Sequence, residues 1–96
     1  MVNAVVLIQC EIDEIPEAAQ AIAAIDGVSE VYSVAGEFDL VAVVRVNEHD
    51  HLAGVIPGGI AKVPGVARTE TLIAFQVYSR HDLEAIFSVG FEAEGV

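Results

Sequence analysis

From Val31 to Val46 the chain reads Val-Tyr-Ser-Val-Ala-Gly-Glu-Phe-Asp-Leu-Val-Ala-Val-Val-Arg-Val, two β-prone runs broken at one glycine, with an acid on either side of an aromatic ring. Such a segment has few alternatives to a hairpin. β-Branched residues lose side-chain freedom in a helix and pack well on a pleated surface, and glycine supplies the unusual backbone angles of a tight reversal. The tip of this hairpin gathers carboxylates and unpaired backbone groups in one place, which suits a small polar ligand.

The flanking segments define what the hairpin joins. Ala4 to Ile12 is β-rich and apolar on both faces until Gln9, the pattern of an interior strand. Asp13 is placed to cap the next element, Pro16 suits a first helical turn, and Ile15, Ala18, Ala19, Ile22 and Ile25 recur at helical spacing opposite Glu14, Glu17 and Ala21, up to a stop at Asp26-Gly27. The second strand, about Val28 to Ala35, mixes polar residues with valines, whereas the third, Leu40 to Val46, is aliphatic apart from Arg45. One reads as an edge and the other as central. Asn47 and Asp50 resemble a capped helix start with Leu52, Val55 and Ile56 on its buried side, and Pro57-Gly58-Gly59 should keep that helix short or kinked. Pro64-Gly65 turns into a fourth strand, Val66 to Tyr78, whose polar start (Arg68, Thr69, Glu70, Thr71) marks a second edge. Pairing of Arg68 with Glu70, or of Arg45 with Glu11, would be surface electrostatics worth under ~1 kcal/mol.

The order is therefore βαββαβ. Right-handed crossovers turn it into an α+β, ferredoxin-like antiparallel sheet of order 4-1-3-2, with the two most apolar strands in the middle. Both helices then share one face of the sheet. The inward set is Val6, Ile8, Cys10, Ala42, Val44, Ile73 and Phe75. Val5, Leu7, Val41, Val43, Leu72 and Ala74 are left on the bare face, an apolar patch of a size soluble monomers seldom leave uncovered. A two-fold dimer packed sheet on sheet, of the dimeric α/β-barrel type, is the simplest cover.

Ninety-six residues that are 54% apolar suffice for one domain and leave no room for a second. Four basic residues against fifteen acidic ones give a net charge of -11, so direct binding of DNA or RNA is opposed by repulsion. No apolar run approaches the ~20 residues of a membrane span, and the first residues lack the pattern of a secretion signal, so a cytoplasmic location is expected. Cys10 is the only cysteine and reads as a packed core thiol. Residues 1–79 are expected to form the domain. Residues 80–96 should add a short helix capped by Asp82, with Leu83, Ile86 and Phe87 on one side, and an acidic tail with Glu92 and Glu94.

From Val28 through Phe75, three motifs occur in series: Val-x-x-Val-Tyr-x-Val-x-Gly-Glu-Phe-Asp-Leu, then Pro-Gly-Val, then Arg-Thr-x-Thr-Leu-Ile. With the first strand and helix, residues 2 to about 79 resemble the effector-binding (RAM) domain of the Lrp/AsnC transcription regulators. The first strand begins within a few residues of Met1, so the chain resembles the stand-alone members that lack the helix-turn-helix DNA reader. The resemblance implies dimers packed through their sheets, assembly into rings of dimers, amino acids bound in clefts between dimers, and co-assembly with DNA-binding Lrp/AsnC-type regulators. It also implies a ligand site at Gly36, Glu37, Phe38 and Asp39 with Thr69 and Thr71. Those residue types suit a zwitterion: Asp39 or a carbonyl can accept from its ammonium, and threonine hydroxyls with amides near Gly36 can donate to its carboxylate.

Competing readings remain at this stage. Gly36, Phe38 and Asp39 also serve as turn and plug residues, Glu37 as a solvated charge, and the threonines as edge-strand packing. His49 and His51 point about 200° apart on a helix, and neither HExxH nor paired Cys-x-x-Cys occurs, so no metal site or cofactor is expected. No serine lies in a nucleophile elbow, and no phosphate-binding glycine loop is present, so no catalytic residue is assigned. The alternatives to a non-enzymatic amino-acid sensor are a cofactor-free monooxygenase or isomerase of the dimeric α+β-barrel type and a purely structural oligomerisation module. The enzyme would need an inward titratable group, and the inward set offers no acid or histidine.

Overall fold

Alternation along two aliphatic strands decides the architecture. The computed structural model describes residues 1–78 and 80. Six elements follow in βαββαβ order: β1 (Val2–Cys10), α1 (Ile15–Ala23), β2 (Val28–Ser33), β3 (Leu40–Val46), α2 (Leu52–Val55) and β4 (Val66–Ile73). Short 3-10 turns at Ile12–Glu14, His49–His51 and Ile60–Lys62 complete the connections. The four strands form one antiparallel sheet in the order β2-β3-β1-β4, so the aliphatic pair is central and the ferredoxin-like α+β fold is realised.

Register assigns the faces. Val6 lies opposite Ala42 and Thr71, and Ile8 opposite Leu40 and Thr69. These positions face the helices, where Ala4, Val6, Ile8, Leu40, Ala42 and Val44 are sealed from solvent with Ala18 and Ile22 of α1. Leu52, Val55, Ile56 and Ile60 close the same core from the second crossover. The hairpin of α1 and β2 turns at Gly27, whose φ of +99° needs glycine and whose Cβ would meet Val55 Cγ2 at 2.7 Å. On the opposite face Val5 sits between Val43 and Leu72, and Leu7 between Val41 and Glu70. The valines and Leu7 there are half-buried, while Tyr32 and Leu72 are 50% and 53% exposed.

Several boundaries differ from the sequence expectation. β1 begins and ends two residues early because Cys10 is a bulge: its N–H leaves the ladder for Asp39, and Glu11 N–H donates to the Gly65 carbonyl at 2.8 Å. β4 ends at Ile73 instead of Tyr78. Its partner β1 begins at Val2, and the last ladder bond runs from Ala74 N–H to the Asn3 carbonyl at 2.9 Å. Phe75, expected inward, is consequently fully exposed. β2 stops at Ser33. Neither Asp13 nor Asn47 caps a helix: each lies ahead of or within a 3-10 turn, and no side-chain cap bond is made at those termini. Arg45 donates to Ser29 Oγ at 2.9 Å, at the opposite end of the sheet from Glu11. The expected tail helix and acidic tail lie outside the described residues, as does the boundary at 79.

Candidate functional site

The β2–β3 hairpin tip lies at the end of the sheet where β1 finishes and β4 starts, because all three neighbouring pairs are antiparallel. The chain's only route from β2 to β3 passes through Gly36, whose φ of +140° lies where side chains are strained, although a Cβ there would meet nothing within 4 Å. Its glycine answers to backbone angle, and the space beside it is open. Asp39 then re-enters the sheet. Its N–H donates to the Ile8 carbonyl at 2.9 Å, its carbonyl accepts from Val34 N–H at 3.0 Å, and its Oδ2 accepts the Cys10 N–H at 2.8 Å. The side chain thus satisfies the amide that the bulge takes out of the ladder. Burial pushes the Cys10 thiol above its usual range, and the Asp39 and Glu11 carboxylates add to the shift.

Glu37 and Phe38 form the outer part of the tip. The Glu37 carbonyl accepts from Gln9 Nε2 at 3.2 Å, and its carboxylate is 4.0 Å from the Arg68 guanidinium. Arg68 also stacks over the Phe38 ring, 5.2 Å from its centroid. Sequence reasoning had put Arg68 with Glu70 two residues away; the register instead places it opposite Gln9, within reach of the tip. The available signal was position: in a 4-1-3-2 sheet the first residues of β4 end up beside the hairpin. Here they bring one of only four Lys and Arg side chains to a surface otherwise rich in acids.

The two threonines behave differently from the tip. Thr69 and Thr71 point to the helix-covered face opposite Ile8 and Val6. Thr71 lines an open groove of about 590 Å3 between α2 and β4, with Leu52, Ala53, Ile56, Pro57 and Ile73 as its apolar wall and His49 and Asp50 at its mouth. The six expected residues therefore fall into two places: Gly36 to Asp39 around Arg68 at the sheet end, and the threonines along the inner side of β4. Among the described residues no group of three or more His, Cys, Asp or Glu could hold a metal ion, and no helix is long and apolar enough to cross a membrane.

The model of the Lrp/AsnC ligand binding domain matches residues 3–83. An HTH-type transcriptional regulator of Pyrococcus horikoshii is 37% identical over 59 residues, covering 62% of this chain and 39% of the relative. The chain thus spans about two-fifths of the length of the curated relatives it matches. A crystal structure of a Thermus thermophilus protein superposes with a TM-score of 0.78 at 45% identity, covering 83% of this chain and 100% of that one. The structure of E. coli AsnC gives a TM-score of 0.75 at 25% identity over 81% of this chain and 53% of that chain.

Proposed function

The chain belongs to the Lrp/AsnC ligand-binding domain family, and from that premise we propose that it is a non-enzymatic effector domain that binds an amino acid and regulates transcription through DNA-binding relatives. The observation that carries the ligand class is the position of Arg68. A chain of net charge -11 can hold an anion only where a cation is supplied, and the fold supplies one at the tip, stacked on Phe38 and only loosely engaged by Glu37. A ligand carboxylate has a guanidinium there, and a ligand ammonium has the carboxylates of Glu37 and Asp39. Gly36 leaves the backbone open to close approach. Thr69 and Thr71 belong to the same cleft if a neighbouring subunit brings its β4 alongside the tip.

Self-assembly is part of this reading. A second copy covers the Val5, Leu7, Val41, Val43 and Leu72 face by sheet-on-sheet packing, and pairs of dimers then form the shared clefts. The surface is too acidic for the chain to hold DNA itself, so co-assembly with a regulator that carries a DNA reader is the route to transcription. Thermal denaturation against the twenty amino acids tests the sensor reading. A ligand that binds only the folded protein raises its melting temperature by mass action, and a panel without any shift removes amino acids as the effector class.

A further inference from the structure

Two apolar features of the chain are left in water at once. Beyond Ile73 the described residues run without regular structure, and Phe75 is fully exposed, with Tyr78 at 83% and Val77 at 45%. A few ångströms away the groove between α2 and β4 shows an open apolar wall of Leu52, Ala53, Ile56, Pro57 and Ile73. Exposed large apolar residues in a row, beside an unfilled apolar groove, form two halves of one contact.

The chain's own arm does not make it. The bond from Ala74 N–H to the Asn3 carbonyl holds the backbone on the line of β4 and carries it past the end of the sheet, so Phe75 stands clear of the groove whose wall Ile73 forms. The arm also leaves from the edge strand whose Leu72 lies on the apolar sheet face, at the rim of the surface that sheet-on-sheet packing would cover.

We infer that the arm Phe75–Tyr78 of one copy docks in the α2/β4 groove of a second copy, each subunit filling the other's groove reciprocally. In an extended arm Phe75 and Val77 point to one side and Tyr78 to the other. Phe75 is the anchor on Leu52 and Ile56, Val77 packs on Pro57, and the Tyr78 hydroxyl lies at the polar mouth with His49 and Asp50. An aromatic ring buries the largest area an arm of this length can offer, and tyrosine suits a site apolar in depth and polar at its lip. The exchange is isologous, so the two contacts close the pair without leaving a free arm to propagate. The inference rests on the self-assembly part of the proposed function and is independent of any ligand.

Disulfide trapping tests it directly. Isotope-labelled Phe75→Cys chain is mixed with unlabelled Ala53→Cys chain under mild oxidation, and intact mass identifies the products; buried Cys10 stays in place in both. The expected product is the labelled–unlabelled heterodimer, absent when Glu17→Cys on α1 replaces Ala53→Cys. Failure to form it overturns the inference, as does a monomeric intrachain disulfide as the main product of the Phe75→Cys/Ala53→Cys double variant. Light scattering of the unoxidised mixture separates the two levels: an oligomer without the heterodisulfide overturns the arm contact alone, and a monomer overturns the sheet-on-sheet assembly as well. A Phe75→Trp variant gives a second readout in a chain that has no tryptophan. Its emission is blue-shifted in the assembled protein if the ring is docked, and water-like emission there overturns the contact.

Discussion

The two faces of the sheet are built from the same four strands, residue by alternate residue, and they meet opposite fates. On one, Ala4, Val6, Ile8, Leu40, Ala42 and Val44 are sealed under α1 and the second crossover. On the other, Val5, Leu7, Val41 and Val43 are equally aliphatic, yet stay half in water beside Tyr32 and Leu72. A strand that had only one core to serve would alternate apolar with polar residues. Here the alternation is missing in β1 and β3 and present in the edges, where Glu30 and Glu70 occupy the open face. The difference teaches that the open face is a second core, shared out between subunits.

The sharpest way to break this comparison is Val43→Glu. A carboxylate at the centre of a desolvated sheet-on-sheet contact has no partner charge, so the assembly is expected to fall to monomers by light scattering; a variant of wild-type size would place the interface elsewhere. On the covered face Ile8→Ala should cost about 2–5 kcal/mol in urea unfolding through the cavity it leaves, while the surviving folded protein keeps its assembly. A loss under ~1 kcal/mol would show a core looser than its burial implies.

The remaining predictions concern the sheet end. Asp39→Ala strips the acceptor from the Cys10 amide and should lower stability by about 1.5–3 kcal/mol, with Asp39→Asn recovering most of it. Equal losses for both would mean that the charge, and not the bond, matters. The raised thiol pKa of Cys10 has a defined sign: the folded state holds the proton more tightly than the unfolded chain, so its contribution is complete below the unfolded thiol pKa and is lost as pH rises through the folded one. Unfolding midpoints of wild type and Cys10→Ala should therefore converge in the alkaline range, and parallel pH curves would contradict the shift. Smallest in stability is Arg68→Ala, under ~1 kcal/mol for so exposed a pair, yet it should erase any amino-acid-induced thermal shift. A retained shift takes Arg68 out of the ligand site.

How much of this was legible in the residues depended on whether a segment's partners were local. Leu40–Val46 was read to the residue because an unbroken aliphatic run bounded by Asp39 and Asn47 leaves no choice of limits. The order of the strands followed from their polarity. The ends of β1 and β4 were misplaced because they are set by each other: β-prone residues continue past Ile73, but the ladder has nothing left to pair with. Arg68 was misread for the same reason, since Glu70 is near in sequence while Phe38 and Glu37 are near only once the sheet has formed. The hairpin tip was found by residue type, whereas the groove, made by α2 and β4 together, has no linear signature.

Asp39 also changes what kind of loop this is. By accepting the Cys10 amide it moors the tip to the middle of the sheet and not merely to the strands it connects. A guest that tugs on the tip therefore loads the end of β1, the strand hydrogen-bonded to both β3 and β4. Occupancy at the periphery is felt by the backbone on which subunit contacts are built, as a hand on a tiller is felt by the keel.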